Sequence, residues 1–367
     1  MKGTRTRDLD VKFLFGSFAP MDVLGVIASL NDDIGATGIN FRLVEQDQQA
    51  GEWLFASATH CIAVQHSKRP LPPDALREAS NSSYTRAMIP DTLDRIAGHR
   101  SYVHVTLSSG NLDLMRGKAR AAEPTLGDFT TAVNLAVILA MKIMALRVPD
   151  LVHWGQSNQL VLPRHLDAAC DMATCYPLLI HPLFFSEDRS PGEIPSVGFR
   201  TLGARDLLGQ EIELREVRIP FPVTLELVFV FVGLCEVRGR LLADGETFGD
   251  DARLRVRVRH VGETTEAPRL ELTVEHHAAF GIGAPLAVGE KPQNALQNRL
   301  AVVQDTHRAL PHQRAETAAT VPPKDRGQPR GGVISATREK LTSKLDNQAE
   351  RQSGLRGLFG RVSGRPN

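Results

Sequence analysis

The sequence predicts an α+β protein of two ferredoxin-like βαββαβ units joined by a long helix and followed by a disordered basic C-terminal tail. Short β-rich runs alternate with helical periodicity over most of the chain. One long apolar helix divides them. Beyond about residue 285 the patterning dissolves into Gln, Ala, Thr, Pro, Lys and Arg, with too little apolar surface to offset the entropy of ordering.

In chain order, Val11–Phe18 is β-rich. Pro20 then introduces a helix over Met21–Leu30, which Asn31-Asp32-Asp33 breaks. Ile39–Glu45 and Trp53–Gln65 read as two strands, Asp91–Gly98 as a helix, and Tyr102–Leu107 as a strand of alternating character. Residues 1–110 thus form the first unit. Residues 111–149 hold a soft linker, Gly110–Pro124, and the helix Leu126–Leu146, stopped by Pro149. Residues 150–285 form the second unit. Leu151–Leu162 is a strand region, Pro163–Met172 a helix, and Leu178–Phe185 and Gln210–Val217 are strands. Phe221–Val237 is rich in β-formers, yet its length and the prolines at 220 and 222 favour a helix. Arg253–Arg259 and Leu270–Glu275 are strands. Residues 286–367 are the tail.

At 367 residues, with 42% hydrophobic and 23% charged residues, the chain has the composition of a soluble globular protein. Its net charge of +1 conceals two segments of opposite sign. Residues 1–290 carry about 29 basic and 36 acidic side chains, and residues 291–367 about 14 and 6. An acidic body argues against nucleic-acid binding by the globular part. Val133–Leu146 and Val223–Cys235 are apolar, but each is shorter than the roughly 20 residues that span a bilayer. They read as core helices, and no export signal is apparent, so the expected location is cytoplasmic. Cys61, Cys170, Cys175 and Cys235 are irregularly spaced and read as small buried hydrophobes.

The tail ends in a basic, apolar hook. Leu355, Leu358, Phe359 and Val362 share one helical face, with Arg356, Arg361 and Arg365 beside it. Gly354, Gly357 and Gly360 disfavour an isolated helix, so any structure there must come from a partner surface. A protein groove fits better than an anionic membrane, where each Arg adds only about 1 kcal/mol. The plainer alternative is a disordered end without a role.

From His153 onward the residues His153-Trp154-Gly155-Gln156-Ser157, Thr201-Leu202-Gly203, Leu208-Gly209-Gln210-Glu211-Ile212-Glu213 and Leu242-Ala243-Asp244-Gly245-Glu246-Thr247 occur in order. Upstream lie the strand His60–Val64 and the pair His99-Arg100. In these features residues 10–260 resemble a bacterial family described only as domain of unknown function 4261. The resemblance implies an α+β cytoplasmic protein and assigns no activity.

The candidate ligand cleft is His153, Trp154, Thr201, Glu211 and Glu213. An imidazole and an indole at a strand end suit a proton donor and a stacking floor. Glu211 and Glu213, two apart on a strand, point to one face and could share acid–base work or a cation. The plainer readings are a packed tryptophan, a hydrogen-bonded core histidine, and a solvated strand edge paired with Arg215 and Arg218. Thr59-His60-Cys61 and His276-His277 place neighbours on opposite faces of a strand, which disfavours a nucleophile or metal pair. Asp244-Gly245-Glu246 before Gly249-Asp250-Asp251 lacks the alternating ligands of a calcium loop and reads as a turn. No catalytic residue, metal or cofactor is nominated. The leading expectation is a non-enzymatic binding or adaptor protein. An enzyme or small-ligand binder using the cleft is the second, and an antitoxin-like or secretion-associated accessory protein, recognisable from gene neighbours, the third.

Overall fold

The computed structural model describes residues 8–115, 125–170, 175–185, 196–249, 253–262 and 268–283. The hook residues Leu355, Arg356, Leu358, Phe359, Arg361 and Val362, and the tail as a whole, lie outside the described residues. The chain is α+β, with two sheets and several helices. It divides into two units: residues 1–243 with 259–271, and residues 244–258 with 272–367.

In the first unit the elements run β1 (Asp8–Phe15), α1 (Val23–Ile34), β2 (Arg42–Asp47), β3 (Glu52–Ala56), β4 (His60–Ser67), α2 (Arg77–Asn81), α3 (Ser83–Met88), α4 (Thr92–Gly98), β5 (Ser101–Ser109), α5 (Leu112–Met115) and α6 (Leu126–Leu146). There follow β6 (Leu151–Trp154), β7 (Gln159–Val161), α7 (Pro163–Cys170), α8 (Tyr176–Leu179), β8 (His181–Phe185), β9 (Val197–Leu202), α9 (Ala204–Leu208), β10 (Glu211–Val217) and α10 (Phe221–Arg238). The second unit holds β11 (Thr247–Phe248) and most of β12 (Leu254–Val261) and β13 (Arg269–His277), two strands that each cross the unit boundary.

The larger sheet has seven strands in the order β2-β3-β4-β5-β1-β6-β7, and its pairs are antiparallel. This corrects the expected ferredoxin-like order. Trp53–Gln65 is two strands, because Ser57, Ala58 and Thr59 turn the chain back on itself. The expected boundaries at residues 110 and 150 are also crossed, since β1 pairs β5 on one side and β6 on the other. In the second sheet the first unit contributes the order β10-β9-β8. Strand β9 lies between the two expected strands Leu178–Phe185 and Gln210–Val217 and was not itself among the expected elements.

Alternation along the strands gives the large sheet two different faces. On one, Val11, Phe13, Val103, Val105, Leu107, Ile62 and Trp154 are buried, and α6 packs on β1, β5 and α1. On the other, Leu14, Leu151 and Leu160 join Leu71, Leu76, Ala79, Ile89, Ile96 and Leu162 in a core under the short helices α2–α4. That core covers only one end. The rest of the face carries Asp10, Lys12, Gln65, His104 and Thr106, set side by side by the strand register. Edge strand β2 is exposed along its whole length and bulges between Leu43 and Glu45.

Helix α6 spans 21 residues and is long and apolar enough to cross a membrane by length and composition, where the apolar run alone had been read as too short. Its buried residues, among them Phe129, Val133, Leu139 and Ile143, pack within the first unit. A half-buried ion pair, Lys142 Nζ to Asp33 Oδ2 at 2.7 Å, ties it to α1. Its start is fixed by a capping box. The Asp128 N–H donates to Thr125 Oγ1 at 3.2 Å, and the Thr125 N–H donates to the Asp128 carboxylate at 2.9 Å. Cys61 and Cys235 are buried and Cys175 is half-buried; the Cys170 side chain lies outside the described residues.

In the second unit β11 pairs antiparallel with β12. Gly245, at φ +77°, turns the chain so that its N–H meets the Val258 carbonyl at 2.8 Å. Arg255 and Arg257 pair with Glu275.

Thr125→Ala removes one half of the capping box and is expected to lower stability by about 1 kcal/mol. Equilibrium urea denaturation measures it.

Candidate functional site

The five expected cleft residues fall into three separate settings. His153 and Trp154 are neighbours on β6, so their side chains take opposite faces of the large sheet. Trp154 lies fully buried on the face packed by α6. His153 is buried on the other face, opposite Lys12 and Leu160. Thr201 and Glu211 meet on the second sheet, where the Thr201 hydroxyl donates to Glu211 Oε2 at 2.8 Å. Glu213 accepts from Arg200 Nη2 at 2.7 Å and forms an ion pair with Arg269 at 3.1 Å. Its partners therefore come from β9 and β13, while Arg215 pairs with Glu271 at 2.8 Å. The expected pairing of Glu213 with Arg215 or Arg218 along one strand is replaced by cross-strand pairing.

What these residues build is a polar hub at the β6–β7 turn. Gln156 donates from Nε2 to the Gly203 carbonyl at 3.1 Å and to Asp206 Oδ2 at 2.7 Å. Glu211 accepts the Gly203 and Ala204 N–H groups, each at 3.1 Å, which satisfies the first turn of α9. Burial raises the Glu211 carboxyl above the ordinary glutamate range, and these hydrogen bonds work against that rise. Ser157 Oγ and Gln159 Nε2 both donate to the Leu178 carbonyl at 2.6 Å. Gly203 sits at φ +97°, and a Cβ there would lie 2.2 Å from the Leu179 carbonyl oxygen. Gly155 is confined by space alone, since a Cβ would meet Asp10 Cβ at 2.8 Å.

Asn158 links two buried histidines from a left-handed conformation, φ +48°. Its Nδ2 donates to Glu78 at 3.2 Å, so its Oδ1 is the acceptor for His153 Nε2–H at 3.0 Å. The same residue's backbone carbonyl, at 3.0 Å, and that of Ser157, at 3.1 Å, accept from His181 Nδ1–H. His181 Nε2 is then the acceptor for the Ser82 hydroxyl at 3.0 Å, and Ser82 also caps α3. Both imidazoles are held neutral. Burial pushes His153 down to about 4 and lowers His181 as well. Ser82 beside His181 has the spacing of a nucleophile and base, but His181 is fully buried and its hydrogen bonds join separate elements. Neither Ser82 nor His181 carries a sequence motif that would mark it.

A second polar arrangement lies on the uncovered part of the large sheet. Asp10 Oδ1 accepts from His104 Nε2 at 2.8 Å and from the Thr106 hydroxyl at 2.7 Å. The His104 hydrogen bond, partly offset by burial, helps hold the Asp10 carboxyl at about 2. Beside it a groove of about 530 Å³ runs over β5, β4, β3 and β2, lined by Thr106, His104, Ala63, Leu54, Glu52 and Glu45 among others. Alternation of Tyr102, His104 and Thr106 was the only sequence signal for this face; its partner Asp10 is distant in the chain and is brought in by register.

Among the described residues no group of three or more His, Cys, Asp and Glu side chains is placed to hold a metal ion. Comparison with family models, with curated proteins and with solved structures returns no match for this chain.

Two expectations follow. Gly203→Ala meets both a carbonyl and a left-handed backbone, and is expected to cost more than about 3 kcal/mol or prevent folding; soluble yield and denaturation midpoint report it. His153 protonates near 4 when folded and near 6.5 when unfolded. The unfolded state therefore binds more protons between those values, and stability falls as pH drops from about 6.5 to 4, by about 3 kcal/mol for this group. His153→Gln should flatten that part of the stability–pH profile, measured by urea denaturation at stepped pH.

Proposed function

We propose that this chain is a non-enzymatic binding or adaptor protein of the cytoplasm, with an α+β body that carries a C-terminal docking hook for a protein partner. The observation that supports a carrier role for the body is the β6–β7 hub. There the conspicuous polar residues His153, Thr201 and Glu211 hydrogen-bond within the fold, Glu211 setting β9, α9 and β10 against each other and Gln156 joining the β6–β7 turn to them. An enzyme or ligand cleft built from His153, Trp154, Thr201, Glu211 and Glu213 needs those side chains in one cavity, and they occupy separate faces and sheets.

Membership of the family of domain of unknown function 4261 is part of the same reading. Its support is that three motif pieces separated in sequence, those containing Gln156, Gly203 and Glu211, meet through the two polar groups of one peptide residue. The docking role itself rests on the sequence of residues 355–362, whose apolar stripe and arginines fit a groove on an acidic protein.

Affinity purification of the full chain is expected to recover a stoichiometric partner protein. Deletion of residues 350–367, or Leu358→Asp with Phe359→Ala, should abolish that recovery. Identical partner recovery with all three chains would overturn the docking reading.

A further inference from the structure

Helix α10 carries apolar residues on every side. Its inner face, Thr224, Leu227, Val228, Phe231, Val232 and Cys235, is buried. Tyr176 covers one flank, its ring against Phe229 and its hydroxyl donating to Glu236. The outer face is different. Val230 is 37% exposed and Val237 54%, and Glu226 is exposed between the same turns. A helix at a protein surface ordinarily turns polar residues outward, but the outward positions of this 18-residue helix are largely valine. A helix apolar on both faces is suited to a partner on each, and among the described residues only the inner partner is present.

The outer stripe has a regular spacing. Glu226, Val230, Gly233 and Val237 stand at i, i+4, i+7 and i+11, the repeat with which one helix meets another along its length. The 4-3-4 interval reads the same from either end. Two copies laid antiparallel about a two-fold axis therefore match Glu226 with Val237 and Val230 with Gly233, and both halves of the contact are made at once. Gly233 presents no side chain, so Val230 of the second copy has a hollow to enter.

Charge selects the same arrangement. Glu226 makes no hydrogen bond or ion pair among the described residues. Arg238 and Arg240 stand at the opposite end of the helix, where Glu236 is engaged by Tyr176. A parallel pair would set Glu226 against Glu226 and arginine against arginine. An antiparallel pair brings each Glu226 level with Val237 of the second copy, within one turn of both arginines. The opposed helix dipoles favour that direction as well.

We propose that α10 is a homodimer interface, in which two copies of this chain pair antiparallel through Glu226, Val230, Gly233 and Val237. The two-fold axis passes between the levels of Val230 and Gly233. An 18-residue helix is about 27 Å long. That length places the contact at the small end of specific interfaces and its dissociation in the micromolar range. The C-terminal hook takes no part in it.

Sedimentation equilibrium of the full chain, from low micromolar to several hundred micromolar, is the test. A monomer–dimer equilibrium is expected, with the mass rising from 40.2 kDa toward twice that value. Val230→Glu brings two carboxylates to the centre of the contact and should weaken the dimer at least tenfold. Val148→Glu, at a valine 70% exposed outside α10, and deletion of residues 350–367 should each leave it unchanged. Glu226→Arg, and Arg238→Glu combined with Arg240→Glu, should each self-associate at least fivefold more weakly at low salt. An equimolar mixture of those two chains should recover the original association, because every opposed pair is then of opposite sign. Circular dichroism melts check folding. If Val230→Glu fails to fold, Val237→Glu, which opposes Glu226 of the second copy, decides. A chain monomeric throughout, undiminished association of Val230→Glu, equal weakening by Val148→Glu, or a mixture that recovers nothing would each overturn the proposal. So would loss of the dimer on deleting residues 350–367, which would give the contact to the tail.

Discussion

The peptide groups of Gly203 hold the central position in the first unit. Its N–H points at the buried Glu211 and its carbonyl at Gln156, while its α-carbon passes so close to Leu179 that no side chain fits. A buried carboxylate is tolerable only when its acceptors are filled. Glu211 meets that condition with Thr201 and two backbone N–H groups. The left-handed turn at Gly203 aims two of those donors, and the β6–β7 turn supplies Gln156 in return. Each group is satisfied only while the others stay in place, so the arrangement is cooperative.

The histidines extend the same logic. His153 and His181 are buried where the neutral form is favoured, and each has its tautomer set by an acceptor that cannot donate. Asn158 serves both, one through its side chain and one through its carbonyl. Its left-handed backbone is the local cost of reaching both at once. His104 differs. It is only partly buried, it pairs with Asp10 and it faces a groove.

How much of this was legible depends on the range of the interactions. Helices α6 and α10 could be read because length, apolar content and flanking threonine or proline are local signals. The split of Trp53–Gln65 was hidden because Ser57-Ala58-Thr59 carries no glycine or proline to announce a turn. Strand β9 was missed beside a proline-rich segment, and the ferredoxin-like order failed because β1 chooses β5 and β6 as neighbours. That choice is tertiary. Thr201 with Glu211 was half visible in the motif, but the partners of Glu213 lie on two other strands. Asp10 with His104 and Thr106 is set by pairing across nearly a hundred residues. The two glycines 155 and 203 were the available clue to the hub, since close backbone approach selects them.

Strand β2 shows how an edge shapes what lies beside it. Its outer backbone groups are a template for another strand, and a flat, apolar edge would invite open-ended stacking of molecules. The bulge between Leu43 and Glu45 interrupts the repeat that such stacking requires. It also changes which side of the sheet the following residues face, bringing Glu45 opposite Leu54. One inserted residue therefore makes the sheet's boundary a poor template for polymerisation and turns an acidic side chain from the rim toward the interior of the face.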